Sequence, residues 1–142
     1  MKKYFLITLF LLVGTVGLSQ YYLKNTIKQA IKAISDEKTN TNLEQQLVGD
    51  HIVLVWRNET SSCSMMLVFD NKDIGETYYI IPDNIEKQVL LNNYFTKQYK
   101  KYEPGHWTFF AFDLDRGIDI KFSMMEGGQS QFVFTIMPGI ND

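Results

Sequence analysis

The last third of the chain alternates. Three runs, His106–Leu114, Gly117–Met125 and Ser130–Met137, set apolar side chains at every second position, and the polar stretches Asp115-Arg116 and Glu126-Gly127-Gly128 separate them. A period of two belongs to a strand with one buried face; a helix would need apolar positions three and four apart. Runs of this kind joined by two or three turn residues predict an antiparallel sheet. Across a turn centred on Arg116, the expected pairing sets Leu114 opposite Ile118. Phe110, Phe112 and Leu114 then share the core face with Ile118, Ile120, Phe122, Phe132, Phe134 and Ile136. Trp107, Phe109, Asp113, Asp119, Lys121, Ser123 and Thr135 fall on the reverse face, left to solvent or a partner.

Three further strands precede them. Asp50–Arg57 is rich in β-branched residues, Cys63–Asp70 follows the turn Asn58-Glu59-Thr60-Ser61-Ser62, and Glu76–Ile81 follows Asn71-Lys72-Asp73 and stops at Pro82. Helices flank this meander. Over Tyr21–Lys38, Leu23, Ile27, Ala30, Ile31 and Ile34 recur at helical spacing, and the polar loop Ser35–Asn42 ends the run. Asp83–Tyr102 reads as a second helix, with Ile85, Val89, Phe95, Tyr99 and Tyr102 near one face and Glu103-Pro104-Gly105 as its stop. The expected architecture is α+β: an antiparallel sheet with an N-terminal helix and a middle helix, in the order α-βββ-α-βββ, formed by residues 20–142 as a single domain without internal repeat.

Residues 1–19 stand apart. Lys2 and Lys3 precede Tyr4–Leu18, a stretch without charge, and Gly17 and Ser19 are the small residues that a signal peptidase requires. Cleavage before Gln20 is the first expectation. The alternative is an uncleaved membrane anchor, which reaches the roughly 20 residues a bilayer needs only by running on to Leu23. Either way the two lysines keep the N-terminus inside, and the domain is exported, periplasmic or extracellular. Losing Lys2 and Lys3 turns 14 basic against 16 acidic side chains into 12 against 16, a net charge of −4. An acidic domain disfavours nucleic acid and anionic lipid as partners and suits a basic protein.

No arrangement of residues points to an enzyme, a metal or a cofactor. Cys63 is the single cysteine; it lies between a turn and a strand, with no glycine-rich loop beside it, and the two histidines, His51 and His106, are far apart in sequence. Neither zinc nor calcium spacing occurs. Asn58-Glu59-Thr60 matches a glycosylation acceptor. The more pointed features are acidic and aromatic. Asp113 would lie opposite Asp119, with Asp115 in the turn, making either a solvated turn or a docking edge for a basic partner. Trp107 and Phe109, on the polar face, are either covered by a helix or part of a protein-binding patch. The candidate partner-binding residues are therefore Trp107, Phe109, Asp113, Asp115 and Asp119.

The segment His106-Trp107-Thr108-Phe109-Phe110-Ala111-Phe112-Asp113-Leu114-Asp115-Arg116-Gly117-Ile118-Asp119-Ile120-Lys121-Phe122 resembles the C-terminal part of YezG-like immunity proteins. In that family a helix precedes a Trp-Thr strand, which leads through an acidic turn into a strand ending in Phe. The resemblance implies an antitoxin that binds and blocks a protein toxin. Combined with the leader, it implies a toxin acting in the cell envelope. A second reading takes Leu47-Val48-Gly49-Asp50 as the opening of a lipocalin-like barrel carrying a small ligand. That reading requires residues 83–102 to be strand.

Overall fold

Thr26-Ile27-Lys28-Gln29 holds both halves of a capping box, and a helix begins there. In the computed structural model, which describes residues 22–138, Thr26 Oγ1 accepts from the Gln29 N–H (3.2 Å) and Gln29 Oε1 from the Thr26 N–H (3.0 Å). Helix α1 spans Ile27–Asp36 and buries Ala30 and Ile34. The periodicity suggests a helix over Tyr21–Lys38; among the described residues it begins only at Ile27, because Lys24 takes a left-handed conformation (φ 68°) and turns the chain. The turn is pinned against a strand: the Lys24 N–H donates to the Gly75 carbonyl (2.9 Å) and the Gly75 N–H to the Asn25 carbonyl (2.8 Å). A Cβ on Gly75 would stand 2.4 Å from the Tyr22 carbonyl oxygen, so only glycine permits this approach. The leader and its cleavage site, residues 1–19, lie outside the described residues. Among those described, no helix is long and apolar enough to cross a membrane.

Eight strands follow, four on each side of a second helix: β1 (Asn40–Val48), β2 (His51–Asn58), β3 (Cys63–Phe69), β4 (Gly75–Pro82), α2 (Ile85–Gln98), β5 (Lys100–Glu103), β6 (His106–Ala111), β7 (Arg116–Met124) and β8 (Ser130–Ile136). The domain is thus α+β with one antiparallel sheet, ordered β1-β2-β3-β4-β8-β7-β6-β5. The order α-βββ-α-βββ is one strand short in each half. The additional strand of the first half is β1, whose sequence, NTNLEQQLV, is mostly polar and shows no period of two. The additional strand of the second half is β5, since the helix expected to reach Tyr102 ends four residues earlier, at Gln98. Each half is now a helix and four strands, and the sheet order has the symmetry of a two-fold axis passing between β4 and β8. With a helix over 85–98 and, among the described residues, no strand beyond β1 or β5, the sheet is open, and the condition set by the barrel reading is not met.

Both helices cover the same face. Ala30 and Ile34 from α1, and Leu91, Tyr94 and Phe95 from α2, meet Leu54, Trp56, Met65, Leu67, Tyr78, Ile80, Trp107, Ile118, Ile120, Phe132 and Phe134. Ile85 and Val89, expected on the packing face of α2, are exposed instead; the helix turns Leu91, Tyr94 and Phe95 inward. Burying each large apolar side chain contributes about 1.5–3 kcal/mol. The domain needs no covalent staple: Cys63 is buried and free.

The opposite face of the sheet is uncovered among the described residues. A row of directly opposed residues crosses it: Val55, Met66, Tyr79, Val133, Lys121 and His106. Its apolar members lie in the middle strands, and Lys121 and His106 stand toward the β5 edge.

Candidate partner-binding surface

The β6–β7 hairpin holds all five residues singled out above, and its register decides where each goes. Ala111 pairs with Arg116, Phe109 with Ile118 and Trp107 with Ile120. The turn is therefore Phe112-Asp113-Leu114-Asp115, longer than the Asp115-Arg116 turn expected. Its bonds run from the Leu114 N–H to the Ala111 carbonyl (3.2 Å) and from the Asp115 N–H to the Phe112 carbonyl (3.3 Å), with Asp115 left-handed at φ 52°. The pairing differs from Leu114–Ile118 by an odd number of residues, and an odd slip sends every side chain of one strand to the other face.

Trp107 is accordingly a core residue, fully buried under α2, with its indole N–H donating to Thr96 Oγ1 (3.2 Å) and its rings 5.5 Å from Phe95. It offers no surface to a partner. Phe109 lies on the same side, half-buried and stacked on Tyr99 at 4.3 Å. Asp113 and Asp115 are exposed in the turn. Asp119 sits on the uncovered face, opposite Thr108 and not Asp113; its Oδ1 accepts from His106 Nε2 at 2.9 Å. The structure brings Asp113 and Asp115 together at the tip and separates the other three.

The tip has two members that alternation had assigned to the core. Phe110 is 49% exposed and Phe112 87% exposed, and their rings meet edge to face, with centroids 5.0 Å apart at 77°. Phe110 lies opposite Gly117, which has no side chain to shield it. Only the length of the turn distinguishes these phenylalanines from core residues. The clue in the sequence was Gly117 after an acidic, aromatic run: it permits the close packing of Met137, whose Sδ would stand 2.8 Å from a Cβ there.

His106 is held between acids. Besides Asp119, Glu103 Oε1 lies 3.9 Å from its Nδ1, and Tyr102 stacks on the ring at 5.4 Å. Nucleophilic chemistry would also need a thiol or hydroxyl in reach. Cys63 does not supply it. It opens β3, its Sγ donates to the Ser61 carbonyl (3.3 Å), and burial pushes its thiol up to about 11. His51 is near the other end of that strand, bonded to the Phe69 carbonyl (2.9 Å). The structure brings none of Cys63, His51 and His106 together.

Asn58 of the glycosylation triplet is buried. Its amide donates to Asn40 Oδ1 (2.8 Å) and Thr39 Oγ1 (3.3 Å), and its Oδ1 accepts from the Ser61 N–H and hydroxyl (2.9 Å each). The triplet builds the β2–β3 turn and ties it to the start of β1. Arg57 beside it makes a two-pronged contact with Asp83, Nη1 to Oδ1 at 2.8 Å, joining β2 to the residue before the Asn84 cap of α2. That guanidinium holds the Asp83 carboxyl below its usual range. An open groove at the β4–β8 seam is lined by Lys24, Asp70, Glu76, Thr135 and Met137. Asp70 there is committed to its own turn, accepting from the Lys72 N–H (2.8 Å) and the Ile74 N–H (3.0 Å).

No family model matches the chain, and no curated protein or solved structure matches it.

Proposed function

We propose that this chain is an extracytoplasmic immunity protein, which binds and neutralises a protein toxin acting in the cell envelope through the tip of the β6–β7 hairpin. One observation carries the reading: Phe110 and Phe112 stand in water, packed on one another and flanked by Asp113 and Asp115. Taking a phenylalanine out of water is worth about 1.5–3 kcal/mol, and the fold leaves that unused at Phe112. Two rings already held together on a paired hairpin lose little freedom on docking, so more of the contact energy becomes affinity. The carboxylates beside them select a basic surface and speed encounter with it. The resemblance of residues 106–122 to the immunity family, with a helix ahead of the tryptophan, supports the same reading, and the leader supports an envelope setting. No catalytic step is part of it.

The test is protection. Cells making the exported chain are challenged with a candidate envelope toxin, and binding is measured on the mature domain. Phe112→Ala is expected to weaken binding about 30-fold or more, the loss typical of a central aromatic anchor. Asp113→Lys is expected to lower the association rate at low salt. Both variants should keep the unfolding midpoint, since neither side chain is buried. Protection that survives both substitutions together would refute the hairpin as the docking element, and no protection against any envelope toxin would refute the immunity role.

A further inference from the structure

The two edges of the sheet are finished differently. β5 is four residues long and carries Lys100 and Lys101; short edges with lysines are a standard guard against pairing with another chain. β1 is nine residues long, with Glu44 its one charge and no proline. Every residue from Glu44 to Asp50 is exposed, and no described strand lies outside β1. A bulge between Thr41 and Glu44, with Asn42 at φ 56°, breaks the edge on one side and leaves Glu44–Val48 as its regular part, with Leu43 at the margin of the break. The unpaired N–H and C=O groups along that part are a template for one more strand.

We propose that β1 pairs antiparallel with β1 of a second copy, about a two-fold axis through Gln45, so that two eight-stranded sheets become one. The side chains specify the occupant and the register. Directly opposed residues of an antiparallel pair lie on the same face, and a two-fold axis normal to the sheet preserves that face. Centred on Gln45, Leu47 comes opposite Leu43 of the second copy, and the contact occurs twice. Both belong to the helix-covered side: Gln45 pairs with Leu54 and Leu47 with Ile52, and Leu43 already packs on the core. Leu47 is 74% exposed, in line with a core that has no strand beyond it. The second copy supplies that strand, and the core continues across the junction. On the other face Glu44 meets Gln46 of the second copy, a carboxylate against an amide donor. Centring on Glu44 would oppose two carboxylates, which is unfavourable. Shifting the other way, to Gln46, would set Leu47 against Gln45. The β5 edge has no equivalent: its two lysines would face a partner's lysines or leave them unpaired.

Sedimentation equilibrium on the full chain reads the mass directly. Twice the single-chain mass is expected, and Leu47→Lys should return it to one chain with the circular dichroism spectrum unchanged and an unfolding midpoint that, unlike the parent's, does not vary with protein concentration. Gln45→Cys sets a thiol opposite its own copy and should give a disulfide-linked dimer on mild oxidation. Asp50→Cys, beyond the paired segment, should not, and Cys63 is buried and takes no part. A single-chain mass throughout the micromolar range overturns the proposal. So does a doubled mass that survives Leu47→Lys, or equal cross-linking through Gln45→Cys and Asp50→Cys.

Discussion

Trp107 is buried on all sides, and its one polar atom still has an acceptor on α2. Its rings touch Phe95 and Phe132, so shortening the side chain opens a cavity where helix and sheet meet. Trp107→Ala is expected to lower the unfolding free energy by about 3–5 kcal/mol, and Trp107→Phe by less, measured by equilibrium urea unfolding. Little change for the alanine variant would mean that α2 does not seal this site. Titrating groups make a second prediction at this scale. Burial pushes the Cys63 thiol up from 9.0 to about 11 and the Tyr22 phenol up from 10.0 to about 12. Both are neutral acids, so the unfolded chain gives up these protons at lower pH than the folded one. Their stabilising effect is complete below pH 9.0 and is lost as pH rises toward the folded values. At the acid end, Asp70 is held below 3.8 by the Ile74 and Lys72 amides and Asp83 by Arg57. Their contribution is present above that value and disappears as pH falls beneath it. The urea midpoint should be flat through neutrality and drop on both sides. Replacing Cys63 with Ala should flatten part of the alkaline limb, and a midpoint constant up to pH 11 would contradict the burial of both groups.

The elements were legible in proportion to how far local pattern decides them. β7 and β8 alternate, β2, β3 and β4 are apolar runs bounded by turns, and all five fall within a residue or two of expectation. β1 has no dry face over most of its length, so its strand conformation is imposed by pairing with β2 and leaves no trace in its composition. α2 falls inside the expected helix 83–102 and buries Phe95 as expected, but it stops at Gln98, ahead of Glu103-Pro104-Gly105, and Ile85 and Val89 do not share its inward side. Apolar residues occur on several of its faces, and only the sheet beneath decides that Leu91, Tyr94 and Phe95 go in while Ile85 stays out. The candidate surface turned on the same limit. The run from Trp107 to Phe112 alternates aromatic residues on both faces, Trp107 and Phe109 against Phe110 and Phe112, so its period is visible and its phase is not. Turn length sets the phase, and the left-handed Asp115 that lengthens the turn has no compulsory sequence signature. Asp115 lies in the turn in either register, whereas Asp113 moves from a strand position opposite Asp119 into the turn. Trp107 and Phe112 exchanged roles because they depend on the register.

At the scale of the whole molecule, the two α-ββββ halves meet along β4 and β8, through the pairs from Thr77–Thr135 to Ile80–Phe132. Hydrogen bonds alone would make this a weak seam. The aromatic residues beneath it make it continuous: Trp56 lies 5.9 Å from Tyr78, Tyr78 5.5 Å from Phe134, Phe134 5.8 Å from Phe95, and Phe95 5.5 Å from Trp107. The chain of rings starts on β2, crosses the seam and ends on β6, and α2 contributes to it from above. Neither half can keep its side of that core dry without the other, so the halves should unfold together although each has its own helix and four strands. Hydrogen exchange reads this residue by residue. Amides of β4 and β8 are expected to exchange only through global unfolding, with β5 far faster, since all four of its residues are exposed. In a monomeric variant such as Leu47→Lys, the outer part of β1 should be equally fast. Tyr78→Ala, which removes the ring at the centre, should lower protection in β2 and in β7 by the same factor. Unequal losses, with one half still protected at the wild-type level, would mean that the symmetry of the fold divides it into two independent units.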